Sequence, residues 1–130
     1  MREIKFRGMD KQRNEWVYGY FVQWDDKCFI IEYGKKGIPP QQIEVISKSV
    51  GQFTGLLDKN GVEVYEFDVL KWDDSGDTGY VEYSSESTEY MVDEWKTGET
   101  RSKGHSLCAL GEVEVIGNIY EHPHLLTNNN

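Results

Sequence analysis

Hydrophobic and polar residues alternate along this chain over short stretches, which is the pattern of half-buried β-strands. No window shows the sustained periodicity of a helix, and only residues 121–126 are predicted to form a helical turn. Turn-forming Gly, Asp, Asn and Pro residues separate the stretches, as in proteins built from many short strands. We therefore predict a mainly β protein with strands at residues 4–7, 16–22, 28–33, 42–46, 69–72, 80–83, 90–95 and 113–116.

The most specific local signal is the sequence Asp58-Lys59-Asn60-Gly61. The Asp58 side chain can accept a hydrogen bond from the backbone two residues on, which favours the first position of a turn. Gly61 can take a positive φ without a steric penalty. These residues predict a type I turn closed by a glycine bulge, which is a common hairpin connection. Gly19, inside a predicted strand, indicates a bulge or a close backbone approach.

The predicted strands fall into two groups. The later strands have the number and spacing of a small SH3-like β-barrel, and the earlier ones are predicted to form a smaller N-terminal antiparallel sheet packed on it. We place the boundary near residues 47–55, which gives an N-terminal β subdomain at residues 1–50 and a C-terminal barrel subdomain at residues 51–130. A chain of 130 residues is also short enough to form one compact domain.

The composition is acidic, with 14 Lys and Arg residues against 23 Asp and Glu residues and a net charge of −9. The basic residues are scattered, so binding to nucleic acid or to an anionic membrane is disfavoured, since both need clustered positive charge. The chain has no run of about 20 apolar residues that could span a membrane, and its first residues are not apolar. We therefore expect a cytoplasmic protein in which Cys28 and Cys108 are free, buried thiols.

Few residues form a pattern with known chemistry. Asp73, Asp74 and Asp77 lack the spacing and the later glutamate of a calcium loop, so they are predicted to shape a turn. The histidines and cysteines do not have the spacing of a zinc site. We therefore predict no catalytic residue, no metal and no cofactor. The alternative is a metal-dependent hydrolase that uses Asp68, Asp73 or Asp77.

Aromatic residues make up 13% of the chain. Most are expected to pack in the core or in cross-strand pairs. Those left exposed on one face of the barrel would serve as anchors for a protein partner, whereas a platform for stacked bases would need positive charge beside it. The predicted interaction surface consists of Phe67, Trp72, Tyr80, Tyr83, Tyr90 and Trp95.

Four stretches that span nearly the whole chain carry a family resemblance: residues 2–7, 17–20, 51–61 with 64–66, and 115–121. In these stretches the chain resembles the YopX family of bacteriophage and prophage proteins. The resemblance implies a phage-encoded, β-rich cytoplasmic protein, and it implies no catalytic residue or cofactor. The family typically reads Tyr-Glu-Gly-Asp where this chain has Phe67 in place of the glycine. Phe67 must therefore take ordinary backbone angles or bear strain.

Our leading hypothesis is a non-enzymatic phage or prophage accessory protein that acts in the cytoplasm of the bacterial host through contacts with a host or phage protein. The first alternative is a nucleic-acid-binding protein in phage replication or regulation. The second is the metal-dependent hydrolase described above. Exposed strand edges also allow a homo-oligomer.

Overall fold

The computed structural model describes residues 2–72, 77–94 and 104–127. These residues form a mainly β protein with two antiparallel sheets and almost no helix, which confirms the predicted fold class at this level. The strands are β1 (Phe6–Met9), β2 (Trp16–Trp24), β3 (Lys27–Glu32), β4 (Gln41–Val45), β5 (Gly51–Leu57), β6 (Glu63–Tyr65), β7 (Asp68–Trp72), β8 (Asp77–Ser84), β9 (Glu89–Glu94), β10 (Gly104–Ser106) and β11 (Val113–Asn118). The helical segments are two 3-10 turns (Ser47–Ser49 and Leu107–Ala109) and the short helix α1 (His124–Thr127).

The two sheets follow the order of the chain closely. The first sheet has the strand order β4-β3-β2-β1-β5-β6, and the second has the order β10-β9-β8-β7-β11. Strands that are consecutive in sequence are mostly neighbours, because short turns can join only antiparallel strands. The chain divides within β5 into two compact units, Met1–Gly55 and Leu56–Asn130, called the first and second unit below.

The first unit has a small core on one face of strands β2 to β4. Val17, Cys28, Ile30 and Val45 are buried there, in line with the alternation seen in the sequence. Backbone hydrogen bonds also join the end of β1 to the end of β4, since the Met9 carbonyl accepts from the amide that follows Val45 at 2.9 Å.

Gly19 lies in the middle of β2, where the backbones of neighbouring strands come close. It is the register partner of Phe6 on β1 and of Glu32 on β3. A Cβ atom at this position would lie well inside contact distance of the Ile31 carbonyl oxygen. The close backbone approach predicted for Gly19 is therefore confirmed.

The second unit has its own core beneath β7, β8 and β11. The described residues show an open sheet, with β10 and β11 at its two edges, and no closed barrel is seen among them. The SH3-like arrangement, and the packing of an N-terminal sheet on it, stay predictions. The buried core residues are Val64, Leu70, Trp72, Val81, Val92, Leu107 and Val113.

Two expectations about surfaces have different outcomes. Cys28 is buried as expected, but Cys108 is exposed because it lies on a 3-10 turn after the edge strand β10. The prediction of a buried thiol at Cys108 is therefore wrong.

No helix within the described ranges is long and apolar enough to span a membrane.

Candidate functional site

Buried polar side chains are the usual candidates for catalysis, and in this protein most of them hold turns. In each of the five residues named below, a side-chain oxygen accepts a hydrogen bond from a backbone amide at 2.8–2.9 Å. Such bonds satisfy amides that the sheets leave unpaired. These side chains therefore stabilise the chain path. They are Asp10, Ser49, Asp58, Asp68 and Asn118.

Asp58 makes the largest set of these bonds. Its Oδ1 atom accepts from the amides of Asn60 and Val62, both at 2.8 Å, and its Oδ2 atom accepts from the Val115 amide at 3.0 Å. Burial by itself raises the pKa of this carboxyl, but the three hydrogen bonds and the charge of Lys59 hold the pKa below its usual value. Asp58 is therefore a buried carboxylate whose charge the turn stabilises.

The turn at Asp58 has the predicted geometry. Gly61 has a φ of +82°, and its amide donates to the Asp58 carbonyl at 3.0 Å. The Asp58 amide donates to the Val62 carbonyl at 2.7 Å, which closes the hairpin. The prediction of a tight turn with a glycine at positive φ is confirmed.

The same turn covers the outer edge of β11. On one side β11 pairs with β7. On the other side the Lys59 amide donates to the Val113 carbonyl at 2.9 Å, and the Val115 amide donates to Asp58. Unpaired backbone groups on an edge strand can pair with other chains. Because this turn already bonds the Val113 carbonyl and the Val115 amide, another chain cannot pair with them.

A second tight turn, at residues 65–68, contains Phe67 with a φ of +70°. The Asp68 carboxylate accepts from the Tyr65 amide at 2.8 Å and closes the turn. The Phe67 amide donates to the Val81 carbonyl, and the Phe67 carbonyl accepts from the Ile119 amide, both at 2.8 Å. These bonds hold Phe67 in a conformation that normally requires glycine. We expected Phe67 either to take ordinary backbone angles or to bear strain, and its positive φ shows that it bears strain.

The acidic residues considered for metal chemistry do not meet at one place. Asp68 starts β7, whereas Asp77 is the register partner of Trp72 at the other end of that strand. Four residues of strand separate them by about 13 Å. Asp73 and Asp74 lie outside the described residues. Within the described ranges, no group of three His, Cys, Asp or Glu side chains is placed to hold a metal ion.

The six residues of the predicted interaction surface do not share one face. Trp72 is only 5% exposed and belongs to the core of the second unit, so its assignment to the surface is corrected. Tyr83 and Tyr90 form a T-shaped cross-strand pair with ring centroids 5.2 Å apart, and Tyr83 is 46% exposed. Tyr80 lies on the opposite face of the same hairpin, because its position differs from Tyr83 by an odd number of residues. Trp95 lies outside the described residues.

Tyr80 belongs to a cluster of acidic groups on β8 and β9. Its hydroxyl donates to Glu82 at 3.4 Å, and Asp93 is its cross-strand partner. Burial, followed by the negative charges of Glu82 and Asp93, raises the pKa of Tyr80 to about 12. A hydrogen bond to Asp93, then burial, raises the pKa of Glu82 as well. Negative charge is therefore concentrated on this face of the hairpin.

The two most exposed aromatic side chains of the described residues, Trp24 and Tyr20, lie elsewhere, on β2 in the first unit, and Tyr18 of the same strand is also exposed. Trp24 is 71% exposed, Tyr20 is 56% exposed and Tyr18 is 41% exposed. All three occupy even-numbered positions of the strand. Val17 and Gly19, at odd-numbered positions, are buried, so the three rings project from the opposite face of the strand. We call Tyr18, Tyr20 and Trp24 the β2 aromatic row.

Apolar residues of β3 extend this face. Ile31 is the register partner of Tyr20, and Phe29 is the partner of Val22; both are half-buried. The Tyr20 ring also contacts the Tyr33 ring edge-on, with centroids 4.9 Å apart. The result is a continuous aromatic and aliphatic surface on the outer side of the first unit's sheet.

Sequence reasoning missed this row, although its signal was present. Tyr18, Tyr20 and Trp24 have the even spacing that places side chains on one face of a strand. Val17 and Gly19 lie on the opposite face, where a hydrophobic side chain can enter the core and a glycine allows a neighbouring strand to come close. We instead expected the exposed aromatic residues in the second half of the chain.

The charge of the protein is divided unequally between the two units. The first unit carries nine Lys and Arg residues against seven Asp and Glu residues, a net charge of +2. The second unit carries five against 16, a net charge of −11, and the two values give the total of −9. The β2 aromatic row thus belongs to the less acidic part of the molecule.

Comparisons with known proteins agree with the resemblance seen in the sequence. Residues 5–127 match the YopX protein family. Among solved structures, the crystal structure of protein EF1440 from Enterococcus faecalis matches with a TM-score of 0.45 and 23% sequence identity, over 97% of this chain and 99% of that chain. No curated protein matches. Because the family match covers nearly the whole chain, the protein belongs to the YopX family.

Proposed function

We propose that this protein is a non-enzymatic accessory protein of a phage or prophage, and that it binds a partner protein in the cytoplasm of the bacterial host. The observation that carries this proposal is the β2 aromatic row, which presents three exposed rings on one face of a sheet. Exposed Tyr and Trp side chains are common anchors of protein interfaces, because they bury a large area with few rotatable bonds.

The arrangement of the polar residues supports a binding role over a catalytic one. The buried acids Asp58 and Asp68 already accept backbone hydrogen bonds that close turns. A general acid or base must instead reach a bound substrate. The aromatic row lies on the face of β2 opposite the core of the first unit.

Site-specific photo-crosslinking in host cells tests this proposal. We expect a benzophenone amino acid at position 20 to give one discrete adduct with another protein. The Trp24→Ala substitution in the same chain should remove that adduct. The same probe at position 83, an exposed tyrosine of the second unit, is the matched control and should give no such adduct. A position-20 probe that yields no adduct with another protein contradicts the proposal.

Nucleic-acid binding is the second candidate, and one observation favours it. Nine of the 14 basic residues belong to the first unit, which also carries the aromatic row. Stacking rings beside positive charge are the usual platform for single strands. A gel-shift assay with single- and double-stranded oligonucleotides at low salt tests this candidate, and the absence of any shift would exclude it.

A further inference from the structure

We infer that the β2 aromatic row binds an extended, proline-rich segment of a partner protein that carries Arg or Lys at one end. The inference rests on the proposed function, since it names the kind of partner segment that this face fits. Its support comes from the spacing of the rings, from the hydrogen-bond donors of Tyr20 and Trp24, and from the charge beside Trp24.

The spacing of the row suits a segment in the polyproline II conformation. Rings two residues apart on a strand stand about 7 Å apart, which leaves a slot between Tyr18 and Tyr20. A polyproline II helix rises about 3.1 Å per residue, so prolines two or three residues apart can enter neighbouring slots. Half-buried Val22 and Phe29 form an apolar floor between Tyr20 and Trp24.

The polar atoms of the row also suit such a ligand. Within the described residues, neither the Tyr20 hydroxyl nor the Trp24 indole N–H makes a hydrogen bond. Both are donors, and the backbone carbonyls of a polyproline II segment lack internal partners. Because that conformation is populated before binding, little entropy is lost on association.

Charge at one end of the row selects a basic flank. Asp25 and Asp26 follow Trp24 directly, are exposed, and form no ion pair with any described residue. Asp26 also lines a cavity of about 250 Å³ at this end of the sheet, together with Lys11, Lys27 and Glu44. Glu44 is paired there with Lys11 at 3.2 Å, so the negative charge available to a partner is that of Asp25 and Asp26. Lys27 faces the same side as Trp24 and is the one exposed cation on strands β2 and β3. A single cation is too little for a nucleic-acid backbone, whereas two adjacent carboxylates can pair with Arg or Lys.

Selection from a random peptide library on the full-length protein tests the inference. We expect enriched peptides to contain two or more prolines and a terminal Arg or Lys. Trp24→Ala should weaken their binding by about tenfold or more, which is typical of an aromatic anchor. Asp25→Asn combined with Asp26→Asn should weaken it several-fold and reduce its dependence on salt. Tyr83→Ala, which removes an exposed ring from the second unit, should leave it unchanged.

Three outcomes would overturn the inference. The first is enrichment of peptides without proline, and the second is peptide binding that survives Trp24→Ala. The third is concentration-dependent dimerisation of the free protein that Trp24→Ala abolishes, which would make a second copy the occupant. Circular dichroism of each variant checks that the fold is retained. A position-20 crosslink to a protein without a proline-rich segment would contradict this inference but would still support the proposed function.

Discussion

Phe67 combines a large side chain with a backbone conformation that glycine usually supplies. Its φ of +70° is held by hydrogen bonds to Val81 and Ile119, so the surrounding strands fix the turn whichever residue occupies it. Strain of this kind costs about 1–2 kcal/mol for a residue with a Cβ atom. The contacts of the half-buried Phe67 ring offset part of this strain energy.

We predict that Phe67→Gly is more stable than Phe67→Ala by about 1 kcal/mol. Both substitutions remove the ring, and they differ only in the Cβ atom that the positive φ disfavours. Urea unfolding of the two variants measures the difference. The control is the same pair at Lys71, an exposed position of β7, where alanine should be the more stable residue. Equal stabilities of the two Phe67 variants would argue against strain at this position.

Asp58 is predicted to stabilise the protein only while it is charged. Asp58→Asn leaves one of the two acceptor oxygens, so we expect a loss of about 1–3 kcal/mol near neutral pH. Because the folded pKa of Asp58 lies below its ordinary value of 3.8, the stabilisation is present above that pH and is lost as pH falls through the folded value. Wild type and Asp58→Asn should therefore converge in acid.

Chemical unfolding at a series of pH values between about 2 and 7 checks this. Glu86→Gln, in the exposed turn between β8 and β9, provides a matched loss of one carboxylate. A stability difference between Asp58→Asn and wild type that stays constant through the acid range would show that the charge of Asp58 is unimportant.

At the scale of elements, the β8–β9 hairpin carries an electrostatic conflict. Glu82 and Asp93 are diagonal neighbours on one face, and Glu66 adds a further negative charge nearby. Like charges at such positions oppose strand pairing. When the Glu82 carboxyl is protonated, it donates a hydrogen bond to Asp93, and the repulsion between the two groups is relieved.

We predict that Glu82→Gln stabilises the protein at neutral pH by about 0.5 kcal/mol, a small value because Glu82 is exposed and solvent screens the charge. The raised pKa means that the Glu82–Asp93 contact stabilises the fold below about pH 4.5 and is lost as pH rises through the folded value. The gain from Glu82→Gln should therefore vanish in acid. Thermal unfolding at pH 4 and pH 7 tests this, and a gain of equal size at both values would contradict it.

Elements were predictable from the sequence where local rules decide them. Alternation located most strands, and Asp58 with Gly61 located the tightest turn, since both signals act within a few residues. Exposure of single aromatic residues was not predictable in the same way. Trp24 and Trp72 both end strands, yet one is exposed and the other is buried. That difference depends on which face of each sheet is covered, and residues far apart in sequence determine it.

At the scale of the whole molecule, the uneven charge leads to a prediction about salt. The second unit has a net charge of −11, so repulsion among its carboxylates opposes folding. We expect added NaCl to stabilise the second unit by on the order of 1 kcal/mol, or about 4–8 °C in Tm. The first unit, at +2, should respond little.

Fluorescence can separate the two units. Trp72 lies in the core of the second unit, whereas Trp16 and Trp24 belong to the first. Trp95 also belongs to the second unit, so each unit has two tryptophans. A variant with Trp72→Phe and Trp95→Phe reports on the first unit, and a variant with Trp16→Phe and Trp24→Phe reports on the second, when each is unfolded at low and at high NaCl. A matched concentration of sucrose controls for effects that are not electrostatic. Equal salt responses of the two units would contradict the prediction.

The contact between Asp58 and the edge of β11 has a consequence for synthesis on the ribosome. The hydrogen bond to Val115 spans 57 positions of the chain, so the hairpin turn emerges long before its last partner exists. At about 5–20 residues per second, the delay lasts roughly 3–11 s. During that interval the Asp58 carboxylate keeps its two local bonds and lacks the third. The second unit therefore cannot reach its final form until residue 115 has been synthesised, and slow codons between positions 58 and 115 would lengthen the delay.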